Sequence, residues 1–205
     1  MHKIRNHWEQ VYKKNNHKGL SWYQKTLKKS LLYIDQYVQD KELSIIDVGC
    51  GSSTLVDDLI DKGYKNISAN DISISAIKLI KSRLGERSSK VNWINSDILK
   101  TNLPHREYFL WHDRAVFHFL VNLNDRLNYI DKITSSVRKK GFFLIASFAH
   151  NGPEMCSGLP VIRFTPKSLK EELGDQFSLI KCERETHKTP LNIQQRFLYC
   201  LFQKN

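Results

Sequence analysis

The sequence is poor in several features, and each shortage excludes a class of protein. Its four cysteines stand far apart without a Cys-x-x-Cys pair, so neither a zinc site nor a disulfide framework is expected. The eight histidines show no ligand spacing with carboxylates, and no bound metal is expected. No apolar run approaches the roughly 20 residues that span a bilayer, and no apolar segment follows the charged N-terminus as in a secretory signal. We therefore expect a soluble protein of the reducing cytoplasm without membrane contact.

Positive charge is abundant and unevenly placed. The 205 residues include 32 Lys and Arg against 21 Asp and Glu, for a net charge of +11. Residues 1–30 hold eight of the basic residues and a single acid, Glu9. Aromatic residues among these lysines indicate a folded amphipathic cap over residues 1–40, and the charge fits a solvated helix face, an acidic substrate or nucleic acid. The aromatic residues of the cap are Trp8, Tyr12, Trp22 and Tyr23.

Strand-like and helix-like segments alternate along residues 41–205, joined by short links. This alternation predicts one α/β domain over residues 1–205, with a parallel sheet covered by helices on both faces. In such sheets, ligands bind beside the carboxyl ends of the strands. Strands are predicted at 43–48, 66–70, 91–95, 108–112 and 141–148, helices at 53–63, 73–85, 124–140 and 166–173, and a final antiparallel strand pair at 177–184 and 196–203.

Small and acidic residues follow the first three predicted strands. Gly49 and Gly51 come directly after the first, where two glycines permit a sharp turn and a close approach of ligand to backbone. Asp71 ends the second strand about 20 residues later, where a carboxylate can accept both hydroxyls of a ribose. Asp97 follows the third strand and can meet an adenine amino group. Thr54 stands where the dinucleotide fingerprint needs a third glycine, so the pattern predicts an adenosine without a pyrophosphate.

Three segments carry a resemblance to a known family. Ile45–Ser53 (IIDVGCGSS), Asn70–Ser73 (NDIS) and Ser96–Leu99 (SDIL) resemble motifs I, II and III of Rossmann-like methyltransferases that use S-adenosylmethionine. The resemblance covers roughly residues 43–150. It implies S-adenosylmethionine as the cofactor and a seven-stranded sheet of order 3-2-1-4-5-7-6 beneath an N-terminal helical cap. By the same resemblance, the cofactor contacts are Asp47, Gly49, Cys50, Gly51, Asp71, Ile72, Asp97, Ile98 and His112.

The end of the fourth strand is where the family places its motif beside the transferring methyl group. His112 and Asp113 stand there as candidate catalytic acid or base groups, since His titrates near neutrality. The alternative is that His112 packs at the strand end and Asp113 caps a helix beginning at Arg114. The Pro-Pro-aromatic motif of nucleic-acid amino methyltransferases and the Pro-Cys of cytosine-5 enzymes are absent here, so nucleic acid is not the expected acceptor. Asp113-Arg114-Ala115 resembles thiopurine methyltransferases, whose other features are not recognisable.

The acceptor is expected beside a turn-rich segment, residues 150–163, which follows the fifth strand. This segment, together with residues 187–190 and 195–197, is similar to a recurrent pattern in small bacterial methyltransferases. The aromatic cap resembles that of small-molecule methyltransferases and of seven-strand lysine methyltransferases. We expect a small-molecule acceptor, with a protein lysine as the alternative and a non-catalytic binding module as a third reading. Candidate substrate contacts are Trp22, Cys156, Arg163 and His187, although Arg163 could instead pair with a structural carboxylate and Cys156 could be a core residue.

Overall fold

A computed structural model describes residues 2–14 and 17–205, which form nine strands and six α-helices. The strands are β1 (Ile45–Val48), β2 (Ile67–Asp71), β3 (Val91–Asn95), β4 (Tyr108–Arg114), β5 (Val137–Phe148), β6 (Met155–Cys156), β7 (Leu159–Pro160), β8 (Phe177–Lys188) and β9 (Gln194–Lys204). The helices are α1 (His2–Lys14), α2 (Lys28–Tyr37), α3 (Leu55–Asp61), α4 (Ile74–Leu84), α5 (Leu123–Ser136) and α6 (Pro166–Leu173).

Seven of the strands form one sheet in the order β3-β2-β1-β4-β5-β9-β8. The first five run parallel, whereas β9 pairs antiparallel with both β5 and β8. The order predicted from the sequence is confirmed, because β6 and β7 form a separate short hairpin within the turn-rich segment. None of the helices in the described part of the chain is long and apolar enough to cross a membrane.

Side chains alternate between the two faces of the sheet and bury two apolar layers. Ile45 and Leu110 belong to the layer that α2, α3 and α4 cover, and Ile46 and Trp111 belong to the layer beneath α5 and α6. The predicted covering of both faces by helices is thus confirmed. The alternation also fixes which strand-end residues share a face. The side chains of Asp47 and His112 lie on one face of the sheet, and the side chain of Asp113 lies on the other.

Two predictions about the fold are wrong. The helix predicted over 124–140 ends at Ser136, and residues 137–140 begin β5, because Val137 is buried where it pairs with Tyr108 in the sheet. The expectation that the chain has no disulfide is also wrong, because the antiparallel register of β8 and β9 sets Cys182 and Cys200 opposite each other as a disulfide. This pair removes the support that the cysteines gave to a reducing compartment.

Candidate active site

A cavity of about 460 Å³ opens at the carboxyl ends of β1 to β4. Its floor is the loop after β1, and α1 with the segment that follows it forms the cover. All nine side chains or backbone positions predicted for the cofactor line this one cavity, as do Trp22 and Cys156. The strand ends therefore bring together residues that are distant in the sequence. Asp47 and Asp97, for example, are 50 positions apart and line the same cavity.

The loop after β1 depends on its glycines. Gly49 and Gly51 have φ angles of +67° and +55°, in the left-handed region that L side chains rarely adopt. A Cβ atom at Gly49 would overlap the side chain of Val116, and one at Gly51 would overlap the hydroxyl of Tyr12. Only glycine lets the cap and the β4 loop approach the backbone this closely.

Asp47 and His112 form a buried pair on one face of the sheet. Asp47 Oδ1 lies 2.7 Å from His112 Nδ1, and His112 Nε2 lies 2.9 Å from Ser30 Oγ on α2. Both imidazole nitrogens are therefore engaged. Asp47 Oδ2 is buried and has no hydrogen-bond partner in the described structure, although Asp47 lines the cavity. A buried carboxylate oxygen without a donor is costly unless a ligand supplies one.

Asp71 stabilises the backbone around the glycine loop. Its Oδ2 accepts a hydrogen bond of 2.8 Å from the Gly51 N–H, and its Oδ1 accepts one of 2.7 Å from the Ser73 N–H. Ser73 caps α4 by accepting a hydrogen bond from the Ala76 N–H. A carboxylate has about four lone-pair sites, so Asp71 keeps two for a ligand in the cavity.

Asp97 lies farther along the same edge, after β3. Its Oδ1 accepts a 3.0 Å hydrogen bond from the Leu99 N–H, and the loop is fastened to α5 by Asn128, whose amide donates to the Leu99 carbonyl. Ile72 and Ile98 add apolar surface to this part of the cavity. The region thus offers one acid and two aliphatic side chains to a flat, partly polar ligand.

Residues 45–141 match the profile of the family described as "Methyltransferase domain". This match covers all the strand ends that build the cavity floor. These residues form a Rossmann-like methyltransferase domain. The prediction made from the three motifs is confirmed.

Known proteins of several kinds are similar to this methyltransferase. Human EEF1A lysine methyltransferase 2 is 24% identical over 192 residues, which cover 86% of this chain and 75% of that protein. Bovine eEF1A lysine and N-terminal methyltransferase is 25% identical over 133 residues, which cover 64% of this chain but 19% of that protein, so the chain spans about a fifth of that relative's length.

A solved structure shares the fold over the whole chain. It is Burkholderia thailandensis 1,6-didemethyltoxoflavin-N1-methyltransferase, with 1,6-didemethyltoxoflavin and S-adenosylhomocysteine bound. Its TM-score is 0.77 at 17% identity, with 100% of this chain and 90% of that chain covered.

The structure does not bring Asp113 into the cavity of the methyltransferase. Its side chain lies on the other face of the sheet from His112, where it accepts hydrogen bonds from the N–H groups of Val116 and Phe117 and from the hydroxyl of Tyr129 at 2.9, 3.1 and 2.5 Å. Burial raises its pKa to about 6. Asp113 therefore binds the backbone at the start of the 3₁₀ turn Phe117–Phe119, and no helix begins at Arg114.

Two of the four candidate substrate contacts also lie outside the cavity lining. Arg163 forms an ion pair of 2.8 Å with Glu154, which is the structural pairing that the sequence left open. His187 is buried, with Nε2 2.7 Å from the Ser21 carbonyl oxygen and Nδ1 3.1 Å from the Gln24 amide nitrogen. It holds the segment that presents Trp22 to the cavity.

The sequence reasoning missed Arg114 and Phe119, which line the cavity, and the role of Glu9. Arg114 follows the alternation of β4 and shares a face with His112, a signal that the sequence did contain. The place of Phe119 in the cavity depends on a tertiary contact, since its ring lies 5.0 Å from the ring of Trp8. Trp8 is more than a hundred residues earlier in the chain, so no local pattern could predict this contact.

Glu9 fastens α1 to the start of α4. Its Oε2 accepts a 2.7 Å hydrogen bond from the Ser73 hydroxyl, and its Oε1 accepts one of 2.5 Å from the Ser75 hydroxyl. Partial burial raises the pKa of Glu9, but these hydroxyls and the Ser75 N–H outweigh it and lower the pKa to about 2. The carboxylate therefore stays charged at neutral pH and keeps Trp8 and Tyr12 over the cavity.

Replacing Glu9 with alanine is expected to free α1 and to speed dissociation of S-adenosylhomocysteine by roughly three- to tenfold, because charge-assisted hydrogen bonds to two serines are lost. Stopped-flow tryptophan fluorescence can measure the rate, since Trp8 and Trp22 are in the cover. Glu86→Ala removes an exposed glutamate beyond α4 and serves as the matched control. Equal rates in both variants and the wild type would show that Glu9 does not hold the cover.

Proposed function

We propose that this methyltransferase acts on a small-molecule acceptor enclosed beneath the N-terminal cap. The observation that carries the proposal is the extent of the cavity. It continues from the adenosine-type residues of β2 and β3, past Asp47, to Trp22, Phe119 and Cys156. The cover closes over this second part, which suits a compact acceptor better than the surface of a folded protein.

In this proposal the cofactor occupies the side of the cavity formed by β1, β2 and β3. The unpaired Oδ2 of Asp47 suits the ammonium of the methionine moiety, and the free lone pairs of Asp71 suit the ribose hydroxyls. Neighbouring strands are about 4.8 Å apart, so Arg114 on β4 lies three strand spacings, or about 14 Å, from the β3 end. The acceptor then lies on the β4 side.

When bound, S-adenosylmethionine supplies a methyl group activated by its sulfonium. The chain's part is to hold the acceptor in line, to exclude water with aromatic side chains and to provide π-faces for the positive charge. His112 is proposed as a positioning residue that orients Asp47, because both its nitrogens are engaged. Burial raises the pKa of Cys156 to about 11, so its thiol stays protonated and is not a nucleophile at neutral pH.

A protein lysine is the second candidate acceptor, because the curated relatives described above are named for lysine methylation of eEF1A. The cationic side chain of Arg114 lines the acceptor side of the cavity, and it would repel a lysine ammonium. For this reason the small molecule is the preferred proposal.

The test uses S-adenosylmethionine with a tritiated methyl group and a cell extract divided into a low-molecular-weight filtrate and a protein fraction. We expect labelled product from the filtrate, and none with an Asp71→Ala variant. Label in the protein fraction alone would favour the lysine reading. Label in neither fraction, with the cofactor bound, would contradict both.

Binding of S-adenosylhomocysteine is expected to weaken as the pH falls through about 6. Burial raises the pKa of Asp71 to about 6, although the Ser73 and Gly51 N–H groups act in the opposite direction. Below this pKa the carboxyl group holds a proton and accepts fewer hydrogen bonds from a ribose. Calorimetry should show the dissociation constant rising by up to about tenfold for each pH unit below the pKa.

The stability of the fold should respond to Asp71 with the opposite sign. Its folded pKa lies above the ordinary value of 3.8, so its contribution to stability is full below pH 3.8 and is lost as the pH rises to about 6. Weaker binding at low pH is therefore not unfolding caused by this group. Asp71→Asn carries no charge at any pH, and a pH dependence that persists in this variant would contradict the assignment.

A further inference from the structure

We propose that Arg114 binds a carboxylate on the acceptor, so that the substrate is a small apolar or aromatic molecule with an acidic group. The inference rests on the proposed function and specifies its substrate class. It starts from a cation whose surroundings in the described structure are incomplete.

Arg114 ends β4 on the same face as His112 and lines the cavity. Its Nε donates a 3.2 Å hydrogen bond to the Tyr199 hydroxyl, and its Nη1 donates one of 3.1 Å to the Trp22 carbonyl. The guanidinium lies 4.8 Å above the ring of Phe197. Its Nη2 is buried and has no hydrogen-bond partner in the described structure.

No carboxylate in the described part of the chain compensates this charge. Among the described residues, none of the carboxylates lies within ion-pair distance of Arg114, whereas Arg83, Arg126 and Arg163 each pair with one. Arg114 is partly buried, and a charge in such surroundings with only neutral partners is costly, so an anion that supplies the missing partner would be bound favourably. Arg114 is therefore a cavity-lining cation prepared for an external anion.

The histidines that interact with Arg114, His118 and His187, do not change the charge of this part of the structure. Burial, with a smaller contribution from Arg114, lowers the pKa of His118 to about 3. Burial lowers the pKa of His187 as well, and Arg114 acts in the same direction, opposed by the hydrogen bond to Ser21. Both imidazoles are therefore neutral at neutral pH. Of Arg114, His118 and His187, only Arg114 carries a positive charge.

The lining around Arg114 defines the rest of the acceptor. Trp22, Phe119 and Leu120 line the same cavity as Arg114 and give it aromatic and aliphatic surface. Such a surface suits a flat or aliphatic body, and the guanidinium suits a planar carboxylate better than a single-point acceptor. A carboxylate there would also offset the repulsion between Arg114 and a sulfonium bound nearby.

The methionine carboxylate of the cofactor is the rival partner for Arg114, and the experiment separates the two. Benzoate, 3-phenylpropionate and hexanoate are titrated into the complex with S-adenosylhomocysteine, each beside its uncharged amide, and binding is followed by ligand-observed NMR. In the wild type we expect the carboxylates to bind about tenfold more tightly than the amides. The preference should vanish in Arg114→Gln and shrink in Arg114→Lys, which keeps the charge but not the planar fork.

Arg163→Gln is the matched control, since Arg163 is ion-paired outside the cavity lining, and it should keep the preference. The affinity for S-adenosylhomocysteine should change less than about twofold in Arg114→Gln. A large loss of that affinity would assign Arg114 to the cofactor and overturn the proposal, as would a wild type without preference for carboxylates. None of these readouts requires methyl transfer, so a failed acceptor screen and a failed carboxylate assignment are separate results.

Discussion

Replacing Asp71 with alanine is expected to weaken binding of S-adenosylmethionine and S-adenosylhomocysteine by more than about tenfold. The carboxylate accepts the N–H groups of Gly51 and Ser73, so it fixes both the glycine loop and the start of α4. It also lines the cavity with lone pairs left for a ribose. Alanine removes the loop support and the ligand contact together, and titration calorimetry measures the loss.

Two controls separate these roles of Asp71. Asp71→Asn keeps one acceptor oxygen near the loop, and circular dichroism checks that each variant is folded. An analogue of S-adenosylhomocysteine without the two ribose hydroxyls cannot make the ligand contact with either protein, so the affinity that it loses from wild type to Asp71→Ala measures the loop support alone. The larger loss expected for S-adenosylhomocysteine itself measures the ribose contact. Affinity of Asp71→Ala for S-adenosylhomocysteine equal to that of the wild type would refute the ribose assignment.

Replacing Gly49 with valine is expected to abolish measurable cofactor binding and to lower the free energy of unfolding by about 1–3 kcal/mol. Gly49 has φ +67°, which a β-branched residue strongly disfavours, and its new Cβ would overlap the side chain of Val116. The loop must move, and with it the backbone that floors the cavity. Calorimetry and urea denaturation report the two effects.

Gly63 provides the matched control for this substitution. It also has a positive φ, +84°, but no atom lies within 4 Å of a Cβ built there. Gly63→Val should therefore carry the backbone strain alone, with cofactor binding unchanged. Wild-type affinity in Gly49→Val, or an equal loss of affinity in Gly63→Val, would show that the close approach at Gly49 is not what shapes the site.

That the residues proposed for the cofactor meet at one edge of the sheet was predictable, because the determinants of this placement are local. Each strand end places a short run of residues, such as Gly49–Gly51 or Asp71, at one edge of the sheet, and the order of parallel strands brings those runs together. The side-chain cap of α4 at Ser73 was predictable for the same reason, whereas Thr54 makes no side-chain cap at α3.

The prediction of Asp113 as a catalytic group did not take into account the alternation of side chains along a strand. Adjacent residues of a strand point to opposite faces, so His112 and Asp113 could not both face the same ligand. The same alternation predicts that Arg114 joins His112, and the structure shows this. The pairing of Cys182 with Cys200 was beyond reach, because it depends on the register of β8 against β9.

The acceptor half depends on tertiary contacts that no local pattern contains. Trp8 and Trp22 reach the cavity because Glu9 holds α1 against α4 and because His187 binds the Ser21 carbonyl. These partners are 64 and 166 residues apart in the chain. The sequence predicted an aromatic cap, but it did not predict which residues fasten it.

The central claim is that this cavity holds S-adenosylmethionine, and titration calorimetry with S-adenosylhomocysteine on the purified chain tests it most directly. The account predicts a single site with micromolar affinity that is weakened more than about tenfold in Asp71→Ala and kept in Glu86→Ala. A folded wild-type chain that takes up no S-adenosylhomocysteine would contradict it.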